Sequence, residues 1–324
     1  GPTILLVDAG QWHYESEIIA YRQTLDALDY YYDEWIIKRD FDDLPPDELL
    51  ATYDTVIWST PYFAPGFLAN NRTITNYLNQ GGNLLIAGPN VGYWEEFPWY
   101  GLSWWYTHLR AVYQTKLPPS VTLQGTAAGP FAGMNFGLNE TSYVQNLAGI
   151  DAAVPRSGTR FTQPLLTTEY EGEEYYVGLT SGQCDPYNIV YLGFGLEGVD
   201  TIETSQTLVT KSITHFDRPL TEQGVFWESP DVKDLIAAGE KLTYSLELKN
   251  GSETVTDTFK IQVESDQWAV ELTPADITLG PCETDTITVT VTIPADVPLD
   301  TSHLTTITAQ SNSFPSANSH LQIE

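Results

Sequence analysis

The sequence predicts two domains, an α/β domain with an open, mostly parallel sheet over residues 1–219 and an all-β domain over residues 220–324. Short continuous apolar runs alternate with segments of helical spacing in the first two thirds of the chain, which is the pattern of a sheet covered on both faces. The last hundred residues change to alternation of apolar and polar residues. A length of 324 residues also fits two domains, each long enough to bury a core.

The predicted elements of the first domain follow one another as strand and helix. Thr3–Asp8 is a continuous apolar run, whereas Glu17–Leu28 repeats apolar residues at helical spacing. Gly81 and Gly82 end a helix, because glycine adopts the left-handed conformation of a helix C-cap at little cost. The predicted strands are Thr3–Asp8, Tyr31–Ile37, Thr55–Trp58, Asn83–Ala87 and Asn188–Phe194, and the predicted helices are Glu17–Leu28, Pro46–Ala51, Asn70–Gln80 and Ser205–Phe216.

One edge of this predicted sheet is the expected place for a ligand, because ligands of open α/β sheets bind beyond the carboxyl ends of the parallel strands. Asp8, with Glu95 and Glu96 after the fourth strand, could line a crevice for a cation or a polar ligand. Asp8 could equally cap the turn from strand to helix. The residues expected around the crevice are Asp8, Gly10, Thr60, Tyr62, Asn90 and Tyr93.

The turn after the fourth predicted strand carries no nucleophile. Residues Asn83–Gly92 read NLLIAGPNVG, a buried strand that runs into a glycine-rich turn. Covalent catalysis at such an elbow requires a Ser, Cys or Thr that a neighbouring base activates, and this turn holds Pro89 and Asn90 instead. We therefore predict a binding or accessory role for the domain, with no catalytic residue and no cofactor.

An unusual concentration of aromatic residues follows this turn, within Gly92–Tyr113. Exposing all of these rings would create a large apolar patch, so some of them must be buried. Two roles stay open. The rings could form a small core that packs this insertion onto the domain, or they could form a stacking platform for sugar rings or an anchor for a neighbouring domain. The stacking candidates are Tyr93, Trp94, Trp99, Trp104 and Trp105.

The C-terminal domain is predicted to be a β-sandwich of seven short strands, separated by turns rich in Gly, Asn, Asp and Pro. Tyr244, Leu246 and Leu248 alternate with polar residues, as in a sheet with one face in water. No residue pattern in this domain indicates catalysis. The hinge between the two domains is expected at Pro219–Gln223.

Composition limits the partners of the chain. Lys and Arg number 14 against 43 acidic residues, and the formal charge of −29 repels nucleic acid and anionic membrane surfaces. No run of 18 apolar residues is present. The start at Gly1 and Pro2 lacks the features of a signal peptide and looks like the scar of a removed tag. We therefore expect an extracellular protein whose signal or preceding domain is missing from this sequence.

Cysteine and histidine offer few candidates for chemistry. Cys184 and Cys282 are the two cysteines, and they fall in different predicted domains, so they could form one interdomain disulfide or stay free thiols. No pair among the five histidines has the spacing of a helical metal site, and no metal site is predicted. A hydrolase with an unrecognised site around Asp8, His108 or Cys184 stays an alternative.

Parts of the C-terminal sequence resemble a known module. Residues 238–265 (AGEKLTYSLELKNGSETVTDTFKIQVES), 266–272 and 277–311 resemble the NEW3-type immunoglobulin-like modules that are appended to bacterial secreted enzymes. The resemblance covers nearly all of the second domain and implies an immunoglobulin-like sandwich. Cys282 stands where the usual module has a Gly, which favours a specific use for this thiol.

The first domain resembles another family in three stretches, GGNLLIAGPNVGYW at 81–94, YTHLRAVY at 106–113 and NIVYLGFGLEGVDT at 188–201. These are similar to class I glutamine-amidotransferase-like accessory domains beside subtilisin-like peptidases in secreted bacterial proteins. The resemblance implies a flavodoxin-like sheet. In amidotransferases a Cys occupies the elbow, so the Pro89 and Asn90 of this chain imply that the activity is lost.

Three functions follow in order from the sequence. The first is a non-catalytic extracellular accessory or docking region of a larger secreted protein, such as a subtilisin-like peptidase, whose partners are the other domains of that protein. The second is a carbohydrate-binding module that uses exposed aromatic rings, with polysaccharide or peptide as ligand. The third is a hydrolase with an unrecognised site.

Overall fold

The computed structural model divides the chain into two compact units, Gly1–Arg156 with Thr162–Arg218, and Pro219–Glu324 with Ser157–Phe161. Each unit is described by itself. Across the part of the chain that the structure describes, no helix has the length and apolar character needed to cross a membrane. The described residues are 1–11, 16–39, 43–60, 70–96, 104–127, 129–138, 150–155, 162–217, 224–229, 231–235, 237–265, 268–298 and 301–324.

The N-terminal unit is built on a nine-stranded sheet with the strand order β2-β1-β3-β4-β11-β10-β9-β6-β7. The strands β5 and β8 pair separately with each other. The strands of this unit are β1 (Ile4–Asp8), β2 (Tyr32–Ile36), β3 (Thr55–Ser59), β4 (Asn83–Ala87), β5 (Ala111–Leu117), β6 (Leu123–Gly125), β7 (Asn135–Phe136), β8 (Ile150–Pro155), β9 (Gln163–Tyr170), β10 (Glu173–Ser181) and β11 (Asn188–Leu192).

Within the described residues of this unit, five α-helices pack on the two faces of the nine-stranded sheet. The apolar runs of the central strands are continuous because both faces are covered. In β1, Ile4 and Leu6 join one core, whereas Leu5 and Val7 join the other core on the opposite face. The helices are α1 (Ile18–Ala27), α2 (Asp47–Leu50), α3 (Asn70–Asn79), α4 (Val91–Glu95) and α5 (Ile202–Phe216).

The prediction of a mostly parallel, flavodoxin-like sheet is wrong. The pairs β1 with β2, β1 with β3, β3 with β4 and β4 with β11 are parallel, but β11, β10, β9, β6 and β7 pair in antiparallel fashion. The described sheet is therefore mixed.

The physical reason for the mixed sheet lies in the long segment between β4 and β11. We expected an insertion there, but its residues form the antiparallel strands. The strands β9 and β10 are joined by the two residues Glu171 and Gly172, both with positive φ (53° and 84°). A two-residue turn of this kind joins antiparallel neighbours, because a parallel connection needs a dozen or more residues.

The C-terminal unit consists of two four-stranded sheets, with orders β12-β13-β17-β15 and β16-β14-β18-β19. Inward residues of both sheets, such as Leu248 and Ile307, form one apolar core, so the unit is a β-sandwich. The short last strand was not expected from the sequence. The strands are β12 (Val225–Trp227), β13 (Lys241–Asn250), β14 (Asp257–Ser265), β15 (Ala269–Thr273), β16 (Asp276–Leu279), β17 (Thr284–Thr292), β18 (Thr305–Ser311) and β19 (Asn318–Ile323).

Candidate functional site

Asp8 lies at the carboxyl end of β1, where a ligand was expected, and it is only 2% exposed. One carboxylate oxygen accepts a hydrogen bond from the Gly10 backbone N–H at 2.9 Å, and the other accepts from the Ser16 hydroxyl at 2.5 Å. These bonds hold the chain as it turns from β1 toward α1, which is the usual work of an Asp at such a turn. The carboxylate of Asp8 is therefore used inside the unit.

Asn90 lies between β4 and α4, with a left-handed backbone (φ 69°) that Asn tolerates better than most residues. Its side-chain oxygen accepts a hydrogen bond from the ammonium group of Lys116, on β5. The same ammonium lies over the ring of Tyr93, 5.8 Å from the ring centroid. A cation that belongs to the protein thus occupies the turn where the sequence indicated a binding crevice.

The aromatic candidates separate into buried and exposed rings. Trp104 and Trp105 have no exposed surface, and Trp105 packs edge-on against Tyr191 at 5.1 Å between centroids. Neither ring can stack on a ligand in this position, so the sugar-stacking role that we assigned to them is not supported. Tyr93 is 40% exposed and Trp94 is half-buried. Tyr62 and Trp99 lie outside the described residues.

The Glu96 carboxylate is hydrogen-bonded to this aromatic cluster. Glu96 accepts hydrogen bonds from the Trp105 indole N–H at 3.2 Å and from the Tyr113 backbone N–H at 3.0 Å. A Cβ added at Gly92 would lie 2.9 Å from the Trp105 ring, so the ring packs directly on the backbone of α4. These contacts identify the small packing core as the role of Trp105.

His108 lies in a π-helical turn, Trp105–Leu109, and is buried. Its ring nitrogens contact the Thr107 hydroxyl at 2.7 Å and the Asn79 side-chain oxygen at 3.0 Å. Burial, with a smaller effect of the nearby Arg110 guanidinium, lowers the pKa of His108 to about 4. The imidazole is therefore neutral at neutral pH, and its two ring nitrogens are engaged by polar neighbours.

Glu197 is a candidate residue that we missed in the sequence. It lies after β11, in a 3-10 turn at Leu196–Gly198, and burial raises its pKa to about 8, with the nearby Glu17 carboxylate as a further cause. The burial of Tyr21 itself raises the pKa of the Tyr21 hydroxyl, and the charge of Glu197 raises it further. The signal in the sequence was a Glu soon after a core strand, at the edge where ligands of such sheets bind.

Neither cysteine is a free thiol or thiolate. Cys184 and Cys282 are both disulfide-bonded, and no free cysteine is found among the described residues. Each cysteine lies in a turn with a positive φ, 61° and 54° respectively. A nucleophilic role for Cys184 requires a thiolate, so the structure does not support that part of the hydrolase hypothesis. The described residues also contain no group of three or more His, Cys, Asp or Glu side chains that could hold a metal ion.

A tyrosine-rich cleft of about 870 Å³ opens at the amino end of β1. Tyr31 is 94% exposed there, and the hydroxyl of Tyr53 donates to Asp33 at 2.9 Å. Exposed tyrosine rings beside carboxylates are suited to binding a sugar, because the ring stacks and the carboxylate accepts hydrogen bonds. This cleft was not predicted, because it lies at the amino end of β1 and ligands of open α/β sheets are expected at the carboxyl ends of the strands. The lining includes Tyr30, Tyr31, Tyr32, Tyr53, Asp29 and Asp33.

Comparisons with known proteins add limited information. No protein-family model matches the chain, and no curated protein matches it. Among solved structures, the human CEP192 PapD-like domain 7 is 13% identical, with 33% of this chain and 88% of that chain covered at a TM-score of 0.25. The periplasmic chaperone SfaE is 16% identical, and the match covers 31% of this chain and 56% of that chain at a TM-score of 0.24. This chain therefore spans about half of that protein. The secreted serine protease VesC from Vibrio cholerae is 9% identical, and the match covers 64% of this chain and 45% of that chain at a TM-score of 0.27.

These results correct the resemblances drawn from the sequence. The prediction of an amidotransferase-like accessory domain of a secreted peptidase is wrong, because the sheet of the N-terminal unit is mixed and no family model matches. The NEW3-type family assignment is likewise not retained. The CEP192 and SfaE matches each cover about a third of this chain, and they assign no function to it.

Proposed function

We propose that this chain is a non-catalytic accessory and docking region of a larger extracellular protein. The position of Lys116 is the observation that carries the proposal. Its ammonium group donates to Asn90 and lies over Tyr93, so a side chain of the protein itself fills the turn after β4. A site already occupied by an internal cation is suited to stabilising the unit and poorly suited to catalysis at that turn.

The state of the other candidate groups supports the same proposal. Asp8 is used by internal hydrogen bonds, and Trp105 is used by packing. The disulfide-bonded state of both cysteines is typical of proteins in an oxidising compartment outside the cytosol. A large acidic surplus keeps such a protein soluble and discourages contact with nucleic acid.

The first test examines the natural gene and the longer protein. The proposal predicts that the gene encodes at least one further domain, and that deleting residues 1–324 from the longer protein reduces its secretion or its binding to partners. A natural protein without a further domain, or a deletion with no effect on secretion and partner binding, would overturn the proposal.

The second test examines the chain alone against ester, amide and glycoside substrates. The proposal predicts no turnover above a heat-denatured control. Glu197→Gln and Glu169→Gln make a matched pair, because the Glu197 Oε2 atom is buried, although the residue is partly exposed, whereas Glu169 is exposed on β9. Turnover that is lost in Glu197→Gln and kept in Glu169→Gln would replace the proposal with a hydrolase.

Carbohydrate binding is the second candidate function, and the exposed tyrosines favour it. Tyr93 is 40% exposed and packs edge-on against Trp94 and Tyr113, with centroids 5.3 Å and 5.6 Å away. Tyr31 lies fully accessible in the cleft near the amino end of β1. A glycan array should then show binding that Tyr31→Ala or Tyr93→Ala removes and that the matching Tyr→Phe variant retains, because Phe keeps the ring. An array without any binding would exclude this function.

A further inference from the structure

A cavity of about 690 Å³ opens at one end of the C-terminal sandwich. It has the size of a small-ligand or peptide site and room for about twenty water molecules. Most of its walls are apolar or aromatic, and a few polar groups converge on it. The lining includes Lys233, Asp234, Leu235, Tyr244, Trp268, His303, Thr305 and Glu324.

The hydroxyl of Thr305 has no hydrogen-bond partner, although the residue is only 1% exposed. Thr305 is on the inward face of β18, whose other end carries Ser311. The Ser311 hydroxyl donates to the Asp257 carboxylate, so the polar group at that end is satisfied within the protein. A buried hydroxyl without a partner costs stability, and such groups are rare in folded proteins. Thr305 lines the cavity, but its hydroxyl oxygen has almost no accessible surface, so this hydroxyl is sealed in the wall and a ligand in the cavity does not reach it.

Aromatic rings form a flat wall of the cavity. Trp268 stacks on His303, with ring centroids 4.4 Å apart and an angle of 27° between the planes. The His303 Nε2 atom contacts the Ser265 hydroxyl at 3.0 Å, and this hydroxyl donates to the Trp268 carbonyl at 2.8 Å. These contacts hold the two rings in place. A planar cation such as a guanidinium stacks well on a fixed indole or phenol ring.

The charges at the cavity are mostly negative. Asp234 and Glu324 both line it, and Lys233 is its one lysine among the lining residues. Lys233 pairs with Glu324 at 3.0 Å, and Asp234 accepts the Tyr244 hydroxyl at 3.0 Å. The C-terminal segment 219–324 as a whole contains 4 Lys, no Arg and 17 acidic residues. A positively charged ligand is therefore favoured over a neutral or an acidic one.

An exposed apolar side chain at the cavity indicates a polypeptide ligand. Leu235 lines the cavity and is fully exposed. A free small cation would leave this leucine in water, whereas a peptide can cover it while one side chain enters the cavity.

From these observations we propose that the cavity binds an arginine side chain presented by a peptide segment of a partner protein. The stem of the arginine lies along the apolar wall, and its guanidinium stacks on Trp268 and donates to Asp234. Arginine fits better than lysine, because its planar group has five N–H donors for several acceptors. This inference rests on the docking function proposed above and names the chemistry that the C-terminal unit recognises.

The test measures fluorescence anisotropy of labelled hexapeptides that differ at one position, with Arg, Lys, citrulline, norleucine or Glu. The full chain should bind the Arg peptide, and citrulline, which is neutral but similar in shape, should bind about tenfold more weakly. Asp234→Asn should weaken binding of the Arg peptide by about tenfold and leave binding of the citrulline peptide nearly unchanged. Trp268→Ala should remove most of the binding.

Thr305→Val is a control for the stability of the cavity wall. Valine has nearly the same shape without the unpaired hydroxyl, so the variant should be as thermally stable as the parent or more stable, and it should bind the Arg peptide as the parent does. Glu169→Gln, at an exposed position of the N-terminal unit, is a second control and should bind as the parent does. Equal binding of the Arg, norleucine and Glu peptides, or an Asp234→Asn variant with parental affinity for the Arg peptide, would overturn the inference. Such a result would leave the docking proposal standing, because that proposal is tested on the longer protein.

Discussion

The buried carboxyl group of Glu197 leads to a quantitative prediction about stability and pH. Burial is the main cause that raises the pKa of this group from 4.5 to about 8, and the Glu17 carboxylate raises it further. In the unfolded chain the same group ionises near pH 4.5. The native state therefore binds one more proton than the unfolded state between these two pH values. The contribution of Glu197 to stability is present in full below pH 4.5 and is lost as the pH rises through 8.

The magnitude follows from the size of the pKa change. A difference of about 3.5 pKa units corresponds to about 5 kcal/mol of unfolding free energy at about 1.4 kcal/mol per unit. Glu197→Gln keeps a neutral polar side chain at every pH. Relative to the parent, the variant should therefore gain stability progressively from about pH 5 to pH 8, by up to about 5 kcal/mol, and the difference should then stay level.

Urea unfolding at half-unit steps from pH 4.5 to 9 measures this difference. Seven of the nine tryptophans precede residue 219, so fluorescence reports mainly the N-terminal unit. Subtracting the parent from Glu197→Gln removes the contributions of all other titrating groups. Glu169→Gln, an exposed position on β9, is the control and should show a nearly flat difference. A flat difference for Glu197→Gln across the same pH range would refute the reasoning that this carboxyl is kept protonated by burial.

Three further predictions concern other groups. Trp105→Ala should destabilise the N-terminal unit by about 3–5 kcal/mol, because it removes a fully buried ring, whereas Tyr93→Ala should cost far less in the same urea experiment. The pKa of His108 is lowered to about 4, so the contribution of His108 to stability is present above pH 6.5 and is lost as the pH falls toward 4. His108→Gln should therefore make the loss of stability with falling pH less steep in this range. An unchanged pH dependence in His108→Gln would contradict this prediction. The pairing of Cys184 with Cys282 stays a prediction: the intact mass of a monomer should be two hydrogens below that of the reduced chain, and a disulfide-linked dimer would refute it.

Several elements could be predicted from the sequence because the cause is local. The strand at Ile4–Asp8 is apolar at every position since both of its faces are covered, and the pattern shows this directly. The strand Lys241–Asn250 alternates because one face of its sheet meets water. The absence of a nucleophile at Pro89 and Asn90 was also visible, because it depends on residue type alone.

The direction of the strands in the second half of the sheet was not predicted. The pair Glu171 and Gly172 forms the turn between two antiparallel strands, but no strand was predicted on either side of it. The aromatic segment showed a similar difficulty. A tryptophan is equally suited to packing and to stacking on a ligand, so composition leaves its role open, and the burial of Trp105 decides the question.

Outside the stretch between β4 and β11, the sequence by itself determined many of the segments that form strands and helices, because hydrophobic periodicity and turn residues act over a few neighbouring positions. The tertiary structure alone decided which distant groups meet. Asn90 and Lys116 are 26 residues apart and form a hydrogen bond, the Glu197 carboxyl lies in the interior beyond the end of β11, and the Trp268 ring stacks on His303. Such contacts depend on how strands are ordered and paired in a sheet, and the free energy of that arrangement comes from long-range packing that no local pattern records.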